Sequence, residues 1–311
     1  MNSRFFIHIT LLFAAVALLA CSSEDDMSAL GGQPLVLYAD MPMTRSTVDN
    51  QWSVGDEVAV KIGDEIKIYY IKDAETGELT TFGTSDPFRW SPNFNSVEVT
   101  AWSLGGFTNA EPLTGITIPE DQSGGYDSYD LLYAKGTLTP SNTHLTFYHQ
   151  MAKVVVQLKF NNSESGIQPP DVYLGLGYDI APDGEWIQQE IIPLKADFTA
   201  PISENKWGTW SNYSSYPNYG ITMKQEGEDK VESGYDVAYS ALLIPNDYSG
   251  KRFVFVNEVS DMGIGYIPKE GEADLAPGTT TTFKITVCDD SLDVVVVNDG
   301  NNNSVIPWAA P

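Results

Sequence analysis

The stretch "AKVVVQLKF", residues 152–160, indicates the fold class because apolar and polar side chains alternate along it. In a β-strand, Val154 and Val156 would lie on one face, and Lys153 and Gln157 on the other. This period of two is typical of a strand with one buried face. It therefore predicts a strand at this point of the chain.

The same period recurs on both sides of that stretch. "EVAVKI" (57–62) and "EIKIYYI" (65–71) flank Gly63-Asp64, a two-residue turn that predicts a hairpin. Alternation is also found in "SVEVTAW" (96–102) and "TFKITV" (282–287), and further strands are expected at 172–178, 235–244, 252–258 and 292–297. No long segment after the first residues has helical apolar spacing, so we expect an all-β protein built of β-sandwiches.

A turn-rich segment at 136–143 is the best candidate for a domain boundary. It predicts an N-terminal sandwich over residues 46–140 and a C-terminal sandwich over residues 141–311. The chain has 311 residues, which is enough for two such domains.

The charge balance bears on possible partners. The formal net charge is −25, from 17 basic and 42 acidic residues. A chain this acidic repels phosphate backbones, which argues against nucleic acid as a partner.

The first residues form a targeting segment. Arg4 precedes an apolar run that is too short to span a bilayer comfortably, and the run ends in "LLAC". This ending looks like the lipobox of bacterial lipoproteins, which implies that a signal peptide of residues 1–20 is removed and that Cys21 is acylated. The following "SSEDD" looks like a surface-export signal. An ordinary secretory signal and a solvated tether are the alternatives, and either interpretation places the protein outside the cytoplasm.

"QPLVLYADMPMTRST", residues 33–47, places a short predicted strand upstream of an isolated arginine. The strand is formed by Leu35, Val36, Leu37, Tyr38 and Ala39. If it enters a sandwich, its odd-numbered residues would fill the core and its even-numbered residues would face outward. Arg45 is the only basic residue between Arg4 and Lys61. A protease that recognises basic residues would therefore have one place to cut, and that cut would remove the strand.

Sequence signatures of catalysis are absent. The chain contains no H-E-x-x-H, G-x-S-x-G, Walker A or G-x-G-x-x-G motif. His144 and His149 are five residues apart, so they would point to opposite faces of a strand and could not share a metal. We expect no enzyme activity, no cofactor and no metal site. Cys288 is expected to be a small buried apolar residue.

The segment "WGTWSNYSSYPNYG" places five aromatic residues three apart, and these residues are Trp207, Trp210, Tyr213, Tyr216 and Tyr219. Such side chains could stack on sugar rings of a glycan or host receptor. The favoured alternative is that they pack back onto the second sandwich or onto a neighbouring subunit.

Several landmarks in order resemble the fimbrillin family of Bacteroidetes, the subunits of pili assembled from surface lipoproteins. They are the lipobox, the first strand, "TR", "WSVGDEVAVKI", "HLTFYHQMAKVVVQLKF", a threonine-rich strand and "VIPW". The resemblance implies two tandem transthyretin-like (Greek-key) sandwiches. It also implies an outer-membrane lipoprotein precursor, exposed at the cell surface, from which an arginine-specific or trypsin-like protease removes the first strand.

Carried over to this chain, the resemblance places the cut between Arg45 and Ser46. A neighbouring fimbrial subunit would then fill the opened groove with a strand from residues 292–308. The candidate donor residues are Val294, Val295, Val296, Val297, Val305, Ile306 and Trp308. Whether these C-terminal runs donate or close their own sheet stays open. The sequence thus predicts a fimbrial subunit with an adhesion role, and the alternative is a monomeric glycan-binding surface lipoprotein.

Overall fold

The structure is a computed structural model that describes residues 32–41, 51–91, 95–105, 113–160, 171–175, 178–180, 186–188, 192–202, 206–214, 220–257, 264–288 and 291–298. In these residues all regular structure is β, apart from the two short 3-10 turns Asp127–Tyr129 and Glu228–Lys230. The prediction of an all-β protein is confirmed. No helix in this part of the chain is long and apolar enough to cross a membrane.

Nine strands of the described residues precede residue 150. They are β1 Tyr38–Asp40, β2 Glu57–Ile62, β3 Glu65–Asp73, β4 Glu78–Thr81, β5 Val97–Leu104, β6 Ile116–Thr117, β7 Leu131–Leu138, β8 His144–Thr146 and β9 Tyr148–His149. All except β6 form one sheet in the order β8-β1-β4-β3-β2-β5-β7-β9. The predicted hairpin is confirmed, because β2 and β3 pair up to Ile62 and Glu65 on either side of Gly63-Asp64.

The two ends of this sheet come from adjacent positions in the chain. Strands β8 and β9 lie at opposite ends of the strand order, yet only Phe147 separates them. The sheet must therefore curl until its ends approach each other. Phe147 is fully buried and packs with its ring edge against Trp52. The apolar residues enclosed by the curled sheet form a cluster that we call the first core, which includes Val58, Val60, Tyr69, Ile71, Leu79, Val99 and Leu145.

Fifteen strands of the described residues follow. They are β10 Ala152–Phe160, β11 Asp171–Leu174, β12 Tyr178–Ile180, β13 Trp186–Gln188, β14 Lys195–Thr199, β15 Thr209–Ser214, β16 Ile221–Thr222, β17 Lys224–Gln225, β18 Val237–Leu243, β19 Asn246–Asp247, β20 Val254–Asn257, β21 Ile264–Tyr266, β22 Asp274–Leu275, β23 Thr280–Cys288 and β24 Ser291–Asn298. Strands were thus found in all four segments in which further ones were expected. Cys288 ends β23 and is partly exposed rather than buried.

The second part of the chain is a sandwich. One sheet has the order β17-β18-β10-β23-β24, and another has the order β16-β11-β20-β21. Both contribute to one apolar cluster, the second core, through residues such as Val154, Phe283, Val172 and Val254. A three-stranded sheet, β15-β14-β6, adds Phe198 and Trp210 to the same cluster.

Strand β10 differs from its prediction in one respect, since most of its predicted polar face is buried and only Lys159 on that face is exposed. The predicted polar face contains Lys153 and Gln157, and these side chains are also inaccessible. A second layer covers them: the Gln157 side-chain amide donates a hydrogen bond to the Lys230 carbonyl oxygen at 3.0 Å, and its oxygen accepts one from the Glu232 N–H at 3.1 Å. The alternating pattern located the strand, but it could not show which distant segment covers the polar side.

The two cores do not divide at residue 140. Strands β8 and β9 belong to the first sheet, although they lie beyond the predicted boundary. In the opposite sense, β6 pairs with β14 of the second part, and Ile116, Ile118 and Tyr126 pack in the second core. The chain therefore crosses between the two parts more than once.

The segment at residues 116–126, which crosses to the second part, is joined to β18 by hydrogen bonds of the Gln122 side chain. Its side-chain amide donates to the Leu242 carbonyl oxygen at 2.9 Å, and its side-chain oxygen accepts from the Leu242 N–H at 2.8 Å. The fully buried side chain thus satisfies both backbone groups of one residue, as a neighbouring strand would.

We predict that Gln122→Met destabilises the protein by about 1–3 kcal/mol for each Leu242 group left unpaired. The shape of the side chain is nearly kept, so the loss would report on hydrogen bonding rather than on packing. Urea unfolding measures the change. The control is Gln225→Met at an exposed position of β17, which should alter the free energy of unfolding by less than about 0.5 kcal/mol. Equal effects of the two substitutions would contradict the role given to Gln122.

Candidate functional site

The N-terminal segment enters the first part of the molecule alongside residues 88–90. The Gly32 N–H donates to the Trp90 carbonyl oxygen at 2.8 Å, and the Trp90 N–H donates to the Gln33 carbonyl oxygen at 2.9 Å. The Leu35 N–H donates to the Phe88 carbonyl oxygen at 2.7 Å. These bonds position the segment before it reaches the sheet.

Strand β1 then lies in the interior of the first sheet, with a partner on each side. Towards β4 the pairing is antiparallel: the Ala39 N–H donates to the Gly77 carbonyl oxygen at 2.8 Å, and the Leu79 N–H donates to the Leu37 carbonyl oxygen at 2.9 Å. Towards β8 the pairing is parallel, and the Tyr38 N–H donates to the Thr143 carbonyl oxygen at 3.1 Å. The removable strand of the sequence prediction is therefore the bridge between β4 and β8.

The regular strand is shorter than the predicted one, since residues 35–37 precede β1, but the side chains of 35–39 alternate as the sequence indicated. Leu35, Leu37 and Ala39 are 3%, 0% and 2% exposed and belong to the first core, whereas Val36 is 46% exposed. Burying two leucine side chains contributes about 1.5–3 kcal/mol each. The strand therefore fills part of the core as well as completing the hydrogen bonds of the sheet.

On the outer surface, Tyr38 and Asp40 contact the neighbouring strand through one residue. The Tyr38 ring stacks on the His144 ring with centroids 4.7 Å apart, and Nδ1 of His144 lies 3.0 Å from Oδ1 of Asp40. The His144 and Asp40 side chains are about half exposed, so their ion pair adds little stability. Docking of β1 depends mainly on its backbone and on its buried side.

Removal of β1 would leave a groove. In the described residues β4 and β8 have no pairing with each other, so their facing edges would be separated by two strand spacings, about 10 Å. The groove would be lined by unpaired N–H and C=O groups, and its floor would be the apolar side chains that Leu35 and Leu37 now cover. Such an edge is a template for another strand.

Gly77 makes close approach of β1 possible. Its φ is +70°, and a Cβ atom at this position would lie 2.2 Å from the Ala39 carbonyl oxygen. Nothing in the sequence marked this glycine as part of the site, because the contact joins residues that are 38 positions apart. Phe88 and Arg89, which hold the segment that leads into β1, were missed for the same reason.

Tyr69, a residue of the first core, contacts the chain at Phe88, beside the N-terminal segment. Its hydroxyl oxygen accepts a hydrogen bond from the Phe88 N–H at 2.8 Å, and the Phe88 carbonyl oxygen in turn accepts from Leu35. Burial raises the pKa of Tyr69 to about 12, with smaller contributions from the charges of Asp86 and Glu65, while the Phe88 bond lowers it.

The other predicted site residues are distributed as follows. Val294 to Val297 lie in β24, which pairs with β23 along its whole length. Trp210 packs in the second core, and its indole N–H donates to the Gln150 carbonyl oxygen at 2.9 Å, so it offers no exposed face to a sugar. Tyr213 is 43% exposed, and Trp207 is partly buried beside Tyr148. Outside the described residues lie Cys21, Arg45, Ser46, Tyr216, Tyr219, Val305, Ile306 and Trp308.

Within the part of the chain that the structure describes, no three histidine, cysteine, aspartate or glutamate residues lie close enough to hold a metal ion together. The site is thus made of backbone groups and apolar side chains. Its chemistry is that of strand pairing.

Comparison with known proteins identifies the family of this chain. The fimbrillin-like family profile matches residues 44–303, and the chain belongs to that family. Membership indicates a structural, non-enzymatic protein of the cell surface. No curated protein sequence matches the chain.

Two solved structures with the same fold are candidate cell adhesion proteins of Bacteroides. The one from Bacteroides uniformis has a TM-score of 0.62 and 13% identity, and the match covers 85% of this chain and 98% of that protein. The one from Bacteroides ovatus has a TM-score of 0.60 and 15% identity, with 86% and 96% covered.

We predict that Gly77→Ala loosens β1. The added methyl group would push against the Ala39 carbonyl oxygen, so the amides of Ala39 and Leu79 should exchange with solvent at least tenfold faster. Gly83→Ala is the matched control, because Gly83 also has positive φ but nothing lies within 4 Å of the point that its Cβ atom would occupy. Both variants carry the backbone strain of about 1–2 kcal/mol, and only the first carries the clash. Identical exchange rates at β1 in the two variants would refute the argument.

We also predict alkaline weakening of this region. The unfolded pKa of tyrosine is about 10 and the folded pKa of Tyr69 is about 12, so its neutral form is favoured by folding. That contribution is fully present below pH 10 and is lost as the pH rises towards 12. Urea unfolding of the wild type and of Tyr69→Phe at pH 9 to 12 should give a difference in stability that shrinks with rising pH. A difference that stays constant over this range would contradict the prediction.

Proposed function

We propose that the protein is a structural subunit of surface fimbriae, made as a lipoprotein precursor and polymerised by strand exchange. Cys21 carries the acyl chains that anchor the precursor in the outer membrane. A trypsin-like or arginine-specific protease cuts after Arg45, and β1 leaves with the segment before the cut. A strand from a neighbouring subunit takes its place.

The observation that supports this proposal most is the position of β1. It is an interior strand of the first sheet, it ends at Asp40, and Arg45 follows five residues later. One cut at Arg45 would therefore separate the whole strand from the molecule. A removable strand at the edge of a sheet would leave no gap, whereas this one leaves a groove between two strands.

We propose that the donor strand comes from residues 292–308. Val294 to Val297 lie in β24, which pairs with β23 over eight residues, so donating them would require that pairing to open. The second apolar run, with Val305, Ile306 and Trp308, is the better candidate, and β24 would then be the fixed base from which it extends. Asp299-Gly300 and the asparagines that follow give this connection turn-forming residues.

An adhesive role is part of the proposal. The two similar structures are candidate adhesion proteins, and a polymer of this chain would present many copies of one surface. Multivalent display converts weak individual contacts into strong overall attachment.

The decisive experiment is cleavage of the chain from Ser22 onward, which includes all residues of the two cores. Limited trypsin treatment should create a new N-terminus at Ser46, seen by mass spectrometry, and should convert monomer into a ladder of oligomers on size exclusion. Arg45→Ala should keep the monomer folded and uncut at this site. Its matched control is Arg252→Ala, which removes an exposed arginine of the second part and should leave oligomer formation intact.

Two results would refute the proposal. One is normal polymerisation of Arg45→Ala after the same treatment. The other is a wild-type chain that is cut at Arg45 and loses the fragment containing β1 but forms no oligomer larger than a dimer at any concentration tested.

A further inference from the structure

The second sandwich has one edge that is built unlike its others. Strand β24 ends the five-stranded sheet and pairs with β23 from Ser291 to Asn298 without a shift of register. Eight regular residues present their outer N–H and C=O groups in an extended row. In the described residues no strand pairs with that side.

The sequence of β24 lacks the devices that normally protect an edge. It reads "SLDVVVVN", with no lysine, proline or glycine and with Asp293 as the only charge. Val295 and Val297 point away from the second core and are 59% and 37% exposed. Leu292, Val294 and Val296 face the core and are only partly covered.

The other edges of the second sandwich, among the described residues, are protected. At the other end of the same sheet, β17 has two residues and is flanked by an ion pair of Lys224 and Glu226. The edge strands of the facing sheet have two and three residues. The longest other edge, β15, carries Asn212 at a φ of 51°, and the register of its partner β14 shifts beside it. Protection of these edges but not of β24 indicates that the β24 edge is meant to be paired.

We propose that β24 is a self-association edge, at which two copies of this chain pair their β24 strands antiparallel around a two-fold axis. The five-stranded sheets of two molecules would then form one continuous ten-stranded sheet. The proposal does not depend on cleavage at Arg45 or on strand exchange, because it concerns the other end of the chain and a strand that stays in its own sheet.

The sequence of β24 is compatible with its own reversed copy. When the axis passes through Val295, that residue stands opposite Val295 of the partner subunit, and Val294 stands opposite Val296 of the partner subunit. Valine pairs across antiparallel strands are favourable. Asp293 then stands opposite Val297 of the partner subunit, which keeps the two carboxylates about 14 Å apart. The contact adds no close pair of like charges to the general repulsion between two chains of net charge −25.

A second copy is favoured over an unrelated strand by this register. On the outer face the two copies of Val295 stand opposite each other, and Val297 of each copy lies diagonal to Val295 of the other. The inner face extends the partly covered row of Val294 and Val296 in the same way. An unrelated peptide strand would satisfy the backbone groups but would not be expected to select one register.

The test uses the uncleaved chain from Ser22 onward carrying Cys288→Ser, so that an added cysteine is the only thiol. Val295→Cys should form an interchain disulfide under mild oxidation, because opposed residues of antiparallel strands have Cα atoms about 4.5–5.5 Å apart. Val297→Cys is the matched control, because its two copies would lie about 14 Å apart and cannot be bridged. We expect at least tenfold faster dimer formation for Val295→Cys.

Sedimentation velocity gives an independent measurement without any thiol. The uncut wild type should show a concentration-dependent dimer at up to about 1 mM, and Val295→Lys should shift the midpoint by at least tenfold. Val54→Lys, at a position that is 70% exposed and remote in sequence, should leave it unchanged. A wild type that stays monomeric, or equal cross-linking at positions 295 and 297, would overturn the proposal. Loss of polymerisation after trypsin with dimerisation intact would instead count against strand exchange alone.

Discussion

The completeness of the first sheet depends on the hydrogen bonds that β1 makes on both of its sides. Leu37 and Ala39 exchange main-chain bonds with β4, and Tyr38 donates to the chain beside β8. An interior strand satisfies its own groups and those of two neighbours, so its loss exposes polar groups on both flanks. Because Leu35 and Leu37, directly before β1, also fill the first core, loss of the segment would remove both backbone partners and core side chains. The molecule without β1 is therefore incomplete in both respects.

The acidic character of the chain limits how copies can associate. Attraction between oppositely charged surfaces is not available to subunits that carry a net charge of −25. Main-chain pairing and apolar contact carry no net charge, so they add no further repulsion of their own. The two places identified as contact sites, the groove under β1 and the edge of β24, consist mainly of backbone groups and aliphatic side chains. The strands β4, β8 and β24 that form them contain two carboxylates, Glu78 in β4 and Asp293 in β24.

Local patterns predicted local structure well. The hairpin at Gly63-Asp64, the alternation of Leu35, Val36 and Leu37, and the strand at 152–160 depend on neighbours in sequence, and the structure contains all of them. Features that depend on distant residues were missed. Gly77 is defined by Ala39, Gln122 by Leu242, and the burial of Gln157 by Lys230 and Glu232. Trp210 shows the same limit, because its position in an aromatic series did not reveal that it packs inward.

Covalent attachment of β1 explains why cleavage should come before exchange. As long as the chain is intact, β1 is tethered to β2, and a short tether gives an effective concentration in the millimolar range or above. A strand from another molecule would have to compete with that concentration at every encounter. After a cut at Arg45, β1 becomes a separate peptide that is diluted once it dissociates, while the incoming strand stays attached to a folded subunit. In the proposed assembly, the cut would therefore reverse the competition without changing a contact in the groove. One arginine close behind the strand would be sufficient to make assembly depend on a protease.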